Sequence, residues 1–225
     1  MTGDSKKPQE DGLIEARRQY QHATLSREQL HEEPLTQFEN WLRDARDAKL
    51  IDATAMALTT VDAANRPHTR IVLLKQYDAN GFAWFTDQHS AKGQQLAGNN
   101  AACILFYWRE LERQVRIEGH VDKLDPAEAD DYFYSRPNGS RFSAAASKQS
   151  SEVSNRQQLE QRVEELNRQY PDGNVPRPEH WGGYKLKPDY FEFWQGRNDR
   201  LHDRFSYSST TSQDSPAWSV ARLSP

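Results

Sequence analysis

Apolar residues in this chain recur first at helical spacing and then at spacing two, and the change marks where a β core begins. Leu35, Phe38, Trp41, Leu42 and Ala45 fall on one helical face, with Pro34 suited to the first turn, so an amphipathic helix packed on the core is predicted. From residue 53 alternation predicts strands over 53–61, 68–77, 82–86, 101–108 and 114–124, separated by turn signals of which Asn80-Gly81 is a strong one. Ser90 is placed to cap a short helix over 91–97 that Gly98 ends. Asp125, Pro126 and Glu128 open another that runs to about 135. A polar helix over 155–169 has only Leu159, Val163 and Leu166 as its apolar stripe. Beyond a proline-rich loop over 171–183, Tyr184 opens the last strands, which include 191–205 and end at 218–223. The stretch SRFSAAASKQSS from Ser140 is rich in small residues and receives no element. These elements sum to a mainly β fold with peripheral helices, an antiparallel core of about six to eight strands most simply closed as a barrel. Residues 1–12 read as a disordered tail, a short helical segment follows over 14–24, and 13–225 is expected to be one domain with an N-terminal segment and helical insertions.

Composition narrows the class of partner. With 29 Lys+Arg against 33 Asp+Glu the net charge is -4, which offers no general attraction to nucleic acid or to an anionic membrane, so basic residues must act locally. The single cysteine, Cys103, excludes an internal disulfide and fits a reducing compartment, where it is expected as a buried thiol. No signal peptide or membrane span is legible, and a soluble cytoplasmic protein is expected. GxGxxG, GxxxxGK[ST], HExxH and GxSxG are absent, and the seven histidines lack metal-ligand spacing.

The densest chemistry lies in FEFWQGRNDRLHDRF, residues 191–205. Read as strand, turn over 196–199 and returning strand, it puts Arg200, His202 and Arg204 on one face and Leu201, Asp203 and Phe205 on the other. Such a cationic row asks for an anion. Asp199 and Asp203 could neutralise it as a surface ladder, but with Trp194 and Arg197 alongside, a planar phosphorylated ligand is the better reading. In RIVLLK, alternation separates Arg70, Val72 and Leu74 from Ile71, Leu73 and Lys75. Ser90 and Lys92 at a helix start suit a phosphate or are an ordinary cap with an exposed lysine. Gln114 faces a heterocycle or water. Tyr132, Arg136 and Ser140, four residues apart, form a second oxyanion pocket or a solvated surface.

Together these segments resemble the pyridoxine/pyridoxamine 5'-phosphate oxidases, flavoenzymes that make pyridoxal 5'-phosphate. The resemblance runs from RRQY at Arg17 through RIVLLK, FTDQHSAK at Phe85, LERQVRIEG at Leu111, YFYSRP at Tyr132, SKQSS at Ser147, HWGGY at His180, FWQG at Phe193 and RLHDRF at Arg200 to the terminal RLSP. It implies a split β-barrel binding FMN, working as a homodimer with each flavin in a cleft between subunits. Arg70, Ile71, Val72, Leu73, Leu74, Lys75, Phe85, Thr86, Ser90, Lys92, Gln114, Gln149, Ser150, Trp194 and Arg204 would contact FMN. Lys75, Tyr132, Arg136 and Ser140 would hold the substrate phosphate, with Arg200, Leu201 and His202 at the pyridine ring, and Arg17 and Tyr20 on a segment closing over the site. Arg200 and His202 are the implied catalytic pair. The implied reaction oxidises pyridoxine 5'-phosphate or pyridoxamine 5'-phosphate by hydride transfer to FMN, with O2 giving H2O2 and the amine giving ammonia, in vitamin B6 biosynthesis and salvage. Rival readings are a split-barrel flavin reductase and a non-catalytic pyridoxal phosphate carrier. One departure stands out: Ala91 occupies a position where members commonly have arginine, so one FMN phosphate contact is expected to be missing and FMN retention to be weaker.

Overall fold

Among the described residues nine antiparallel strands form one curled sheet, and a long strand near the C-terminus ties its parts together. The computed structural model describes residue 20, residues 23–210 and residues 217–225. In chain order the elements are α1 (Pro34–Asp47), β1 (Ala55–Val61), β2 (Pro67–Leu73), β3 (Gln76–Asp78), β4 (Gly81–Asp87), α2 (Ala91–Gly98), β5 (Ala101–Trp108), β6 (Arg113–Lys123), α3 (Pro126–Ser135), α4 (Asn138–Ala146), α5 (Arg156–Gln169), β7 (Trp181–Gln195), β8 (Asp203–Thr210) and β9 (Ala217–Leu223). The sheet runs β2-β1-β5-β6-β7-β4-β3. Along one edge β7 pairs with β6; along the other its first half pairs with β4 and its second half with β8. That change of partner half-way along β7 splits the barrel.

Inward positions of the strands are mostly apolar, with Thr60, Gln195 and Asp203 as buried polar exceptions at strand ends. Met56, Leu58, Ile104, Phe106, Val115, Ile117, Phe191, Phe193 and Tyr207 fill the interior, and α1 closes it with Phe38, Trp41 and Leu42. Full burial of one such side chain contributes roughly 1.5–3 kcal/mol. Phe38 meets Phe82 and Phe106 at centroid separations of 5.0 Å, so the predicted helix is a lid on the aromatic core. A smaller cluster of Phe133, Phe142, Val175 and Trp181 lies beneath α3 and α4. Gly119 marks a bulge in β6, where a Cβ would collide with the Lys187 carbonyl.

Four expectations are corrected. The strand expected over 68–77 is two, because at Leu74 and Lys75 the chain changes partner: Leu74 N-H donates to Thr54 O and Lys75 N-H to Ala83 O. Leu74 thus enters the core, and β2 is left as an edge strand on its far side. The stretch from Ser140 is largely helical: α4 begins after Pro137 and buries only Phe142 and Ala146, an apolar pair too sparse to signal a helix. The return strand begins at Asp203, not at Arg200. Asp199 and Arg200 have φ of 53° and 62°, so the turn consumes the chain to His202, and the expected alternation of Arg200, His202 and Arg204 on one strand does not form. Among the described residues the nine strands exceed the six to eight expected, since the short β3 is a strand of its own.

Candidate functional site

The unpaired edge of β2 faces the end of β4 across a cavity of about 650 Å³. Edge position matters, because alternate backbone N-H and C=O groups of β2 have no strand partner there. The cavity gathers Arg70, Ile71, Val72, Leu73 and Lys75 from β2 and its continuation, Phe85 and Thr86 from β4, Lys92 from α2, Gln149 from the segment after α4, and Tyr132, Arg136 and Ser140 from the α3–α4 corner. Twelve of the expected ligand-binding positions thus converge. Ile71 is 67% exposed on the outer face of the edge strand.

The cations here have only neutral hydrogen-bond acceptors. Lys92, 7% exposed, donates to Thr86 Oγ1 at 2.9 Å, Ser90 Oγ at 3.1 Å and Gln149 Oε1 at 2.7 Å. Burial, helped by Arg70, pushes its ammonium down to about 8, against an opposing pull from Asp87. Arg70 donates to Leu58 O, Thr60 Oγ1 and Gln95 Oε1. Arg136, at the C-terminal end of α3, lies with its guanidinium 4.9 Å from the centre of the Trp181 ring, and its Nη1 is buried without a hydrogen-bond partner. Tyr132 stacks on Phe85 at 3.9 Å, which gives the cavity a flat aromatic wall. Buried cationic groups held only by neutral oxygens make a site for an anion.

Ser90 is fully buried as the N-cap of α2; it donates to Asp87 O and accepts from Lys92, so it supports the lysine without lining the cavity. Leu74 lies in the core, and Ser150 is exposed beside Gln149 at φ 70°. Neither lines the cavity.

The remaining expected residues form a second cluster on β6, β7 and β8. Register pairs Gln114 with Trp194 and Trp194 with Arg204, a single row across three strands. Arg204 Nε donates to Glu192 Oε1 at 2.7 Å and its Nη1 to Ser224 O at 2.7 Å. Glu192, 3% exposed, also accepts from Arg116 at 2.8 Å. Burial opposes its charge, but these arginines outweigh that and hold its carboxyl below the usual range. His202 packs on Trp194 at 4.6 Å, and its Nδ1 accepts the Arg197 N-H at 3.1 Å. That bond puts the proton of the neutral ring on Nε2. Burial, Arg200 and Arg204 lower the His202 pKa. Arg197 itself pairs with Asp203, which also receives Arg222 and the Leu25 N-H. Arg200 and Leu201 project outward from the turn. Tyr20 stands edge-on to Trp194 and His202, in space that only a glycine at Gly196 leaves open. Arg17 lies outside the described residues.

Two residues of these clusters, Glu192 and Asp87, were not anticipated. Glu192 could have been found as a carboxylate in an otherwise aromatic strand; nothing local distinguishes Asp87.

Residues 42–170 match the family model described as pyridoxamine 5'-phosphate oxidase, and residues 181–225 match a pyridoxine 5'-phosphate oxidase C-terminal dimerisation region. The chain belongs to the pyridoxine/pyridoxamine 5'-phosphate oxidase family. Among the oxidases of that name, one from Paraburkholderia phytofirmans is 49% identical over 213 residues, covering 95% of this chain and 99% of the relative. A chloroplastic oxidase of Arabidopsis thaliana is 47% identical over 220 residues, covering 97% of this chain but 42% of the relative. The solved structure of PhzG from Burkholderia lata, in complex with tetrahydrophenazine-1-carboxylic acid, superposes with a TM-score of 0.82 at 30% identity over 90% of this chain and 98% of that one. An FMN-binding protein from Nostoc punctiforme, 18% identical with a TM-score of 0.68, shares the split-barrel fold. Among the described residues no helix is long and apolar enough to cross a membrane, and no cluster of ligating side chains suits a metal ion.

Proposed function

We propose that this member of the family oxidises pyridoxine 5'-phosphate and pyridoxamine 5'-phosphate to pyridoxal 5'-phosphate with FMN as cofactor. The observation that carries the reading is the unneutralised charge of the cavity: Lys92 and Arg70 hydrogen-bond only to neutral oxygens, and Arg136 has a buried nitrogen with no partner. That set fits two anionic groups. Lys92 and Arg70 would take the FMN phosphate, with Thr86, Gln149 and the open edge of β2 along the rest of the cofactor. Lys75, Tyr132, Arg136 and Ser140 would take the substrate phosphate. When bound, FMN would supply hydride acceptance from the substrate C4' and reoxidation by O2 to give H2O2, the alcohol leaving as aldehyde and the amine as an imine that water hydrolyses with release of ammonia. Binding and orientation fall to the chain's own residues. His202, neutral and donating through Nε2, orients the pyridine, and Arg200 stabilises negative charge on it.

Two copies of the chain complete such a site. Ile71, Ala57, Leu105, Arg116, Glu192 and Ser206 are consecutive register partners from β2 to β8, and share the outer face of the sheet. Five strand spacings, about 24 Å along the sheet, separate the cavity edge from β8. Ile71 and Tyr107, 67% and 52% exposed, make the β2–β5 half of this face apolar, while Arg116 and Glu192 charge the other half. An isologous contact through it would bring Gln114, Trp194, Arg200, Leu201, His202 and Arg204 of one subunit toward the cavity of the other.

The test is the visible spectrum of the flavin-loaded protein without oxygen. Bleaching by pyridoxine 5'-phosphate, reversed by air, is expected; a flavin that neither this alcohol nor pyridoxamine 5'-phosphate bleaches would overturn the substrate assignment.

A further inference from the structure

At the end of β4 one carboxylate holds together parts of the cavity that come from distant stretches of chain. Asp87 is 6% exposed. Its Oδ1 accepts the His89 N-H at 2.7 Å and shapes the turn into α2. Its Oδ2 accepts the Gln149 N-H at 3.1 Å, a tether across 62 residues of sequence. Gln149, so held, turns its Oε1 onto Thr86 and Lys92. The Asp87 backbone carbonyl accepts a hydrogen bond from the Ser90 hydroxyl at 2.6 Å, and the same hydroxyl oxygen accepts from Lys92. Each ligand of the Lys92 ammonium therefore traces back to Asp87 or to its neighbour Thr86.

We infer that Asp87 is a positioning residue that sets both the geometry and the charge of the Lys92 anion site. The inference rests on the reading of that site as the one taking the FMN phosphate. The charge side follows from what surrounds the ammonium. Arg70 faces it from β2 and disfavours its proton, and Asp87 favours it. His180 Nε2 lies 3.7 Å from Asp87 Oδ2, and the His180 ring stacks on His89 at 5.1 Å. Tyr184 on β7 also feels the carboxylate, which together with burial raises its pKa. These are the charged and titratable groups that face the pair. Lys92, buried and pushed down to about 8, sits close enough to neutrality for the loss of one charge to matter. Without Asp87 the lysine would shed its proton at lower pH, and the site would lose its cation within the range in which an enzyme works.

The measurement is FMN affinity by quenching of flavin fluorescence between pH 7 and 9.5, for the wild type, Asp87→Asn and Asp87→Ser. Above pH 7 the phosphate is a dianion and ordinary imidazoles are neutral. The serine variant keeps an acceptor for the His89 N-H and guards against failure of the asparagine variant to fold. In the wild type the dissociation constant is expected to rise above the Lys92 break, by up to about tenfold per pH unit. In both variants the break is expected at lower pH, and adding Lys92→Arg is expected to abolish it. A break that stays in place, with weakening by one factor at every pH, would make Asp87 a turn residue and overturn the inference. A wild-type protein that binds no FMN at any pH would overturn the cofactor reading instead.

Discussion

The cavity beside β2 and the row on β6–β8 are both rich in arginine and lysine, yet they treat charge in opposite ways. In the row, nearly every described cation has a carboxylate: Arg116 and Arg204 share Glu192, and Arg197 and Arg222 share Asp203. In the cavity, Lys92, Arg70 and Arg136 have no carboxylate within ion-pair distance among the described residues. A neutralised arginine is a fixed strut; an unneutralised one is held ready for a ligand's charge. On the proposed reading the cavity would supply binding and the row position.

Separating the two regions should have the largest effect. Leu105→Glu places a charge on the outer face between them and is expected to yield monomers by sedimentation, with turnover reduced at least about a hundredfold. Complementation sharpens the point. Arg136→Ala and Arg200→Ala subunits, each impaired on its own, should on random mixing restore about a quarter of the sites to wild-type composition if one site draws on both chains. No recovery would confine each site to one chain.

Within the cavity, Arg136→Ala is expected to lower kcat/KM for the phosphorylated substrate by roughly 10- to 150-fold, the value of a charged hydrogen bond, with little change in melting temperature. Within the row the signature should reverse. Glu192→Ala strands two arginines and is expected to cost about 2–3 kcal/mol, seen as a fall in Tm of several degrees. Because the Glu192 carboxyl is depressed in the folded state, its contribution is present above the ordinary value of about 4.3 and is lost as pH falls through the folded one. Glu192→Gln should accordingly flatten the acid limb of stability.

Smaller effects probe the edges of each region. Ala91 is exposed in the first turn of α2, next to the Ser90 cap, and Ala91→Arg is expected to tighten FMN by a few-fold in fluorescence titration. Arg200→Gln removes a charge that disfavours protonation of His202, so the imidazole titration followed by NMR should move upward, with the Nε2-H tautomer retained.

Much of the fold was legible. Pro34 and the apolar stripe after it announced α1, and Asp125-Pro126 set the start of α3 to the residue. The gaps have physical causes. In α4 only Phe142 and Ala146 are buried, and the strand break at Leu74–Lys75 exists because β4 competes with β1 for the backbone, a contest decided between strands. At 196–202 the extended reading failed because Asp199 and Arg200 adopt positive φ, which Asp tolerates but Arg does not advertise.

Local chemistry in the chain determined which residue types would meet an anion, because guanidinium, ammonium and hydroxyl groups carry that property wherever they fold. RIVLLK, Lys92 and the Tyr132-Arg136-Ser140 series were readable for that reason. Only the tertiary structure decided which of them share a cavity, which are already neutralised by Glu192 and Asp203, and which stand about 24 Å away along the sheet, because desolvation and Coulomb pairing depend on distances between strands that no local sequence encodes.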